Sequence, residues 1–209
     1  MADSNIKMVS PITAETFQQL VFNAGMVLHD FDFSSAMHAG DLMALAMAEK
    51  AQKESWMGAT DGGVNVQENR TYWEPGMDGK RLPFKGEKQF DTAKPKMTGT
   101  LLQHTPETVR KISGSAVITE EGDYVTKVQP TATIKPGDYM DNVVFIGNVG
   151  SDGLYLVEMK NVLCTSGMNW QTRDKGVATM PFEFSAHSDS PTFTDELPVS
   201  YWFYGVATD

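Results

Sequence analysis

Three segments in the second half of the chain alternate apolar and polar residues with a period of two, and this pattern narrows the fold more than any other feature. In Lys127–Ile134, Val128, Ala132 and Ile134 face one way, and Lys127, Gln129, Thr131 and Thr133 face the other. In Tyr155–Leu163, Tyr155, Val157, Met159 and Leu163 oppose Glu158 and Lys160. In Val177–His187, Ala178, Met180, Phe182, Phe184 and Ala186 oppose Thr179, Glu183, Ser185 and His187. Successive side chains of a strand point to opposite faces, so these segments predict sheets with one buried and one wet face. Gly25–Phe33 alternates in the same way: Gly25, Val27, His29, Phe31 and Phe33 share a face, and Asp30 and Asp32 point to solvent. Asp141–Val149 and Pro198–Val206 are more continuously apolar, as expected of strands covered on both sides, in the core or at a subunit contact. About eight strands with turns roughly every ten residues predict a mainly β chain folded as a sandwich or barrel.

Two helices interrupt this pattern. Leu42–Lys53 is rich in Ala, Leu, Met, Glu and Lys, the strong helix formers, with Asp41 as its expected N-cap. Leu42, Met43, Leu45 and Met47 make its expected apolar stripe, and Glu49, Lys50, Gln52 and Lys53 its solvated end. Thr105-Pro106-Glu107 reads as a second helix start, with a hydroxyl cap, proline in the first turn and an acid near the positive end of the dipole. Val109 and Ile112 face inward and Gly114 ends it.

Between them, the glycine-rich turn Gly58–Gly63 launches a strand over Val64–Glu68. Tyr72–Phe84 holds Pro75, Gly76, Gly79 and Pro83 and reads as a long loop, expected to be mobile in an isolated subunit. Glu87–Leu102 is extended, broken by Pro95 and Gly99, as at a sheet edge or bulge. Residues 1–22 read as an N-terminal arm, with a turn at Ser10-Pro11 and a short element over Thr16–Phe22. The 209 residues suffice for one large β-rich domain, and no linker divides them.

Composition excludes several classes of function. A formal charge of −10 argues against a protein that reads DNA grooves. The single Cys164 has no internal disulfide partner and lies in an apolar strand, which predicts a buried thiol in a reducing compartment. Met-Ala-Asp-Ser-Asn has neither the basic start nor the apolar run of a signal peptide, and no stretch approaches a membrane span. His29, His38, His104 and His187 are scattered without metal-ligand spacing, so no metal or cofactor is expected. No Gly-Lys-Ser/Thr follows the glycine-rich turn, and no Ser-His-Asp order or Gly-x-Ser-x-Gly elbow occurs. Asp30 and Asp32 are two carboxylates on one strand, but a solvated face explains them better than catalysis. The chain is expected not to be an enzyme.

Charge is nevertheless segregated. Lys80, Arg81, Lys85, Lys88, Lys94 and Lys96 cluster in an otherwise acidic chain. Glu120, Glu121 and Asp123, and then Asp189, Asp195 and Glu196, form acidic groups. These are either solvated loops, or basic and acidic patches that meet head to tail between identical copies.

Several pieces, in order, resemble the major tail tube proteins of long-tailed bacteriophages. They are Asn23-Ala-Gly25 with Asp30-Phe-Asp32, the Gly58–Arg70 launch, Asp78-Gly79 with Lys85-Gly86, and Thr100-Leu-Leu followed by Thr105-Pro-Glu-Thr-Val. The last runs from Trp170 through Asp174-Lys-Gly176-Val-Ala-Thr-Met-Pro-Phe-Glu-Phe to Asp189, then Leu197-Pro198 and an aromatic strand. The Ala/Met-rich segment Ala36–Glu54 departs from the family pattern. The resemblance implies one tail tube domain over 1–209: a two-sheet β-sandwich or barrel flanked by one or two helices, with a long loop over 71–86. It implies six copies closing into a ring and rings stacking into a tube around a tape measure protein, with tail terminator and distal tail proteins at its ends. Genomic DNA would pass through without specific binding, in a virion tail assembled in the host bacterial cytoplasm. It favours intersubunit contacts through Lys80, Arg81, Lys85 and Lys88 against Glu120, Glu121, Asp123, Asp195 and Glu196. The lumen would be lined by Thr179, Glu183, Ser185 and His187. Two other readings fit the residues: the inner tube of a contractile tail or injection system, and a non-assembling β-sandwich binding module, such as a sugar-binding domain with exposed aromatics on one face.

Overall fold

A computed structural model describes residues 21–52, 55–122, 125–150, 152–189 and 196–205. Most of the expected N-terminal arm, including Ser10-Pro11, lies outside the described residues, as do Asp123 and Asp195. The protein is mainly β, with two helices and antiparallel sheets. The strands are β1 (Val21–His29), β2 (Trp56–Gly58), β3 (Thr60–Gln67), β4 (Arg70–Trp73), β5 (Gln89–Ala93), β6 (Lys96–Leu101), β7 (Ala116–Glu120), β8 (Thr126–Pro130), β9 (Met140–Val149), β10 (Gly153–Cys164), β11 (Met180–Ser185) and β12 (Val199–Tyr204). The helices are α1 (Ala39–Gln52) and α2 (Pro106–Ile112).

The main sheet runs β2-β1-β9-β10-β11-β6-β3, with β12 pairing β10. It turns over at β10, the longest strand. The first half of β10 lies between β9 and β12, with Leu156 opposite both Ile146 and Trp202. Its last residues pass to the other layer, where Leu163 pairs Ser185 and Cys164 pairs Phe184. Asn161, at φ 49°, sits where the strand bends; asparagine tolerates this left-handed conformation better than most residues. At the opposite edge the chain itself joins the layers, because β2 runs through Ala59 into β3.

The principal core lies between the layers. Val27, Val143, Phe145, Val157 and Met159 from the first meet Met97, Leu101, Met180, Phe182 and Phe184 from the second. Gly99 is required there, since a Cβ would stand 2.7 Å from the Phe182 ring. Phe182 and Phe184 stack at 4.6 Å between centroids.

A second core forms on the far side of the first layer, under α1. Leu42 and Ala46 of the helix pack on Leu28, Val144, Ile146, Leu154 and Leu156. This third layer explains where the structure departs from the one-wet-face expectation. Val27 and Leu28 are adjacent in sequence, point to opposite sides of β1, and are both fully buried. β10 is likewise covered on both faces, by Leu154 and Leu156 on one side and Val157 and Met159 on the other, so Glu158 does not face open solvent. β1 also ends at His29 rather than Phe33, because Asp30 turns the chain at φ 49°.

Other boundaries and faces also differ. α1 begins at Ala39, so Asp41 lies in its first turn and accepts from the His38 N–H at 3.1 Å. The 3.6-residue repeat puts Leu42 and Ala46 on the buried stripe and leaves Met43 and Met47 exposed. β8 stops at Pro130 and its only described strand partner is β7; Ala132 and Ile134, beyond its end, are exposed. The strand expected over Val177–His187 contracts to Met180–Ser185, and Val177 is exposed. α2 starts as expected: the Thr105 hydroxyl accepts from the Thr108 N–H at 3.1 Å.

Candidate functional site

Among the described residues no three His, Cys, Asp or Glu side chains stand together as metal ligands. No described helix is long and apolar enough to cross a membrane. Three surface features stand out: a projecting finger, an open aromatic edge and an acidic cleft.

The finger is the β4–β5 hairpin with its connecting tip. Tyr72 and Trp73, expected in the loop, instead complete β4, opposite Phe90 and Gln89. Thr71 and Thr92 join the strands through their hydroxyls at 2.7 Å. The tip is clasped by charge. Lys80 Nζ lies 2.7 Å from the covered carboxylate of Glu87 and 3.8 Å from Glu74, while Lys88 lies 3.2 Å from Glu74. The Lys80 ammonium beside Glu87 holds its carboxyl below the ordinary value. These pairs link the two sides of the tip through Glu74 and Glu87. Tyr72, Trp73, Met77, Leu82, Phe84 and Phe90 are nevertheless all exposed, Leu82 at 79%.

The open edge is β12, whose only described strand partner is β10. Expected to be covered, it leaves Tyr201, Trp202 and Phe203 exposed. Alternation puts Tyr201 and Phe203 on one face and Trp202 on the other. The Tyr201 hydroxyl donates to Glu68 at 3.1 Å and ties the finger's base to this edge.

The cleft, of about 430 Å³, opens where β1 ends and is lined by Asp30, Asp32, Asp141, Asn142, Glu158 and Lys160 with Phe31, Phe33 and Trp202. Sequence reasoning placed Asp30 and Asp32 on a solvated strand face; instead the turn at Asp30 brings both to the cleft. Asp30 is committed to structure. It accepts from Lys111 Nζ at 2.7 Å and from the Asp141 N–H at 2.7 Å, and lies 3.0 Å from His29 Nδ1. Burial works to raise its carboxyl's pKa, but His29, Lys111 and the Asp141 amide together hold it well below the ordinary range. Asn142 is also spent, on both backbone groups of Phe31. The Asp32 carboxyl is lowered by the Ser34 backbone amide. Phe33 meets Trp202 edge-on at 5.7 Å and stacks near Phe31 at 6.2 Å. The cleft draws on positions as distant as Asp30 and Trp202. In the sequence only the paired acids and the aromatic strand hint at it.

The interface residues expected from sequence have mixed fates. Lys80 and Lys88 are paired within the finger, whereas Arg81 and Lys85 are exposed on it. Glu120 is exposed at the end of β7, Glu121 lies 3.6 Å from Lys127 of the same hairpin, and Glu196 is exposed just before β12. Of the residues expected on the polar face of β11, Glu183 pairs with Lys96 at 2.7 Å, and Ser185 with Thr165. His187 rests on the Asn161 carbonyl and Tyr139, and Thr179 is buried. Lys96 and Thr165 hold the Glu183 carboxyl below its ordinary value. Cys164 is buried, and desolvation raises its pKa.

No protein-family model matches the chain, and no curated protein is similar to it.

Proposed function

We propose that the chain is a structural subunit that assembles into stacked hexameric rings forming a bacteriophage tail tube, through which genomic DNA is ejected. The observation that carries this reading is the finger. Six large apolar side chains on one short hairpin are each 38–79% exposed. Such a patch marks a protein–protein contact, and the energy released by covering it is available only on assembly.

The outward face of the second layer supports the reading. In register across β11, β6 and β3 it presents Glu183, Ser185, Lys96, Thr98, Thr100, Asn65 and Gln67. This surface is polar, and its one lysine is neutralised by Glu183. A wall of this kind gives phosphates no unpaired cation to bind, so DNA slides along it. The virion tail, the tape measure, terminator and distal tail partners, and the absence of catalysis follow from this proposal.

One observation favours a second reading as a sugar-binding module. Tyr201, Trp202 and Phe203 are exposed on a strand edge, and aromatic rings stack on sugars. Sedimentation across a concentration series separates the two. Tube assembly predicts a shift from monomer to very large species. A monomer at every concentration, with tryptophan fluorescence that responds to oligosaccharides, supports the module and contradicts the tube.

A further inference from the structure

The cleft at the end of β1 carries more acids than the one lysine lining it can balance. Glu158 is nine-tenths buried and lines the cleft, yet it has no hydrogen bond or ion pair among the described residues. Its carboxylate opens onto the cleft, where an incoming cation can reach it. Asp32 and Asp141 line the cleft too, without a basic partner among the described residues, and Lys160 is the only cation among the described lining residues. Asp30 adds nothing, because Lys111 neutralises it. Phe31, Phe33 and Trp202 form the apolar wall, and Trp202 is 45% exposed. Carboxylates beside aromatic rings suit a guanidinium or ammonium group, which pairs with the acids and stacks on the rings. The acids do not converge as metal ligands do.

We infer that this cleft receives the finger tip of a second copy, with Arg81 and Lys85 as the entering cations. The inference rests on the assembly reading above. Lys80 and Lys88 are consumed by Glu74 and Glu87, whereas Arg81 and Lys85 have no carboxylate partner among the described residues and do not line their own cleft. Leu82 and Phe84 flank them, both exposed, and match the aromatic wall. The tip therefore brings charge and apolar surface to a site with surplus acid and a half-exposed indole.

The test uses the full chain and charge reversal at exposed positions. Arg81→Glu with Lys85→Glu reverses the tip, and Asp32→Lys with Asp141→Lys reverses the cleft. Unchanged melting curves establish that each variant folds. Each reversal alone should raise the concentration needed for assembly about tenfold or more, because like charges then face each other. Combining both reversals in one chain should restore much of the loss. In parallel, an Arg81→Cys chain mixed with an Asp32→Cys chain should crosslink between copies, since the natural Cys164 is buried. If wild type assembles, but either reversal assembles equally well and the cysteines do not crosslink, the finger docks elsewhere and this inference fails while the tube reading stands. If wild type never assembles and no crosslink forms at any concentration, both fail.

Discussion

Replacing Asp30 with Asn tests whether the first turn of the fold is held by one charge. Asparagine keeps the residue's tolerance of the left-handed backbone and an oxygen for the Asp141 N–H, but removes the negative charge. The Lys111 side chain is only 9% exposed, so its ammonium cannot turn freely to water. Breaking a fully buried pair costs about 3–5 kcal/mol. Here the Asp30 side chain is 34% exposed, and Glu107 also attracts Lys111, so the cost is discounted to about 2 kcal/mol. For a chain of this size that lowers the melting temperature by roughly 4–8 °C. The pH dependence has a definite sign. The native carboxyl is held below its unfolded value, so its stabilisation is complete above the ordinary carboxylate range of about 4 and is lost as pH falls through the depressed native value. Circular-dichroism melts of dilute protein should show a constant gap between wild type and Asp30→Asn from pH 7 to about 5, narrowing toward pH 3. A gap under about 1 °C at pH 7, or one that widens in acid, refutes the argument.

Gly99→Val forces a side chain against the Phe182 ring and should destabilise the fold by about 1–3 kcal/mol, measured by urea unfolding. Cys164 should react with a thiol reagent far more slowly in native than in urea-unfolded protein, because burial both shields it and keeps it protonated. Amide hydrogen exchange over 70–93 should slow on assembly more than anywhere else in the chain, since the finger's apolar side chains are then covered. In assembled tubes, Glu183→Lys frees Lys96 and adds a ring of positive charge; DNA ejection should slow more at low salt than at high salt.

Most of the strands and both helices were legible because local patterns state them. The alternation of Met180, Phe182 and Phe184 matches their burial, and the Thr105 cap is visible in its own tetrapeptide. Layering was less legible. Two-residue alternation reports which residues share a face, not whether that face is later covered, so α1 turned the wet side of β1 and β10 into a second core. The Asp30 turn was hidden because it is fixed by Lys111 and the Asp141 amide, both far along the chain. The cleft was hidden for the same reason. The ion pairs of Lys80 and Lys88 were not readable from composition, which shows charge clusters without showing which charges are already spent.

Electron microscopy of concentrated, purified protein tests the central proposal most directly. The account predicts rings with sixfold rotational symmetry and an open central channel, stacking into tubes when tape measure protein is added, with the β11–β6–β3 face toward the channel. Particles that remain single subunits at every concentration, with or without that partner, would contradict it, and so would closed assemblies that have no channel.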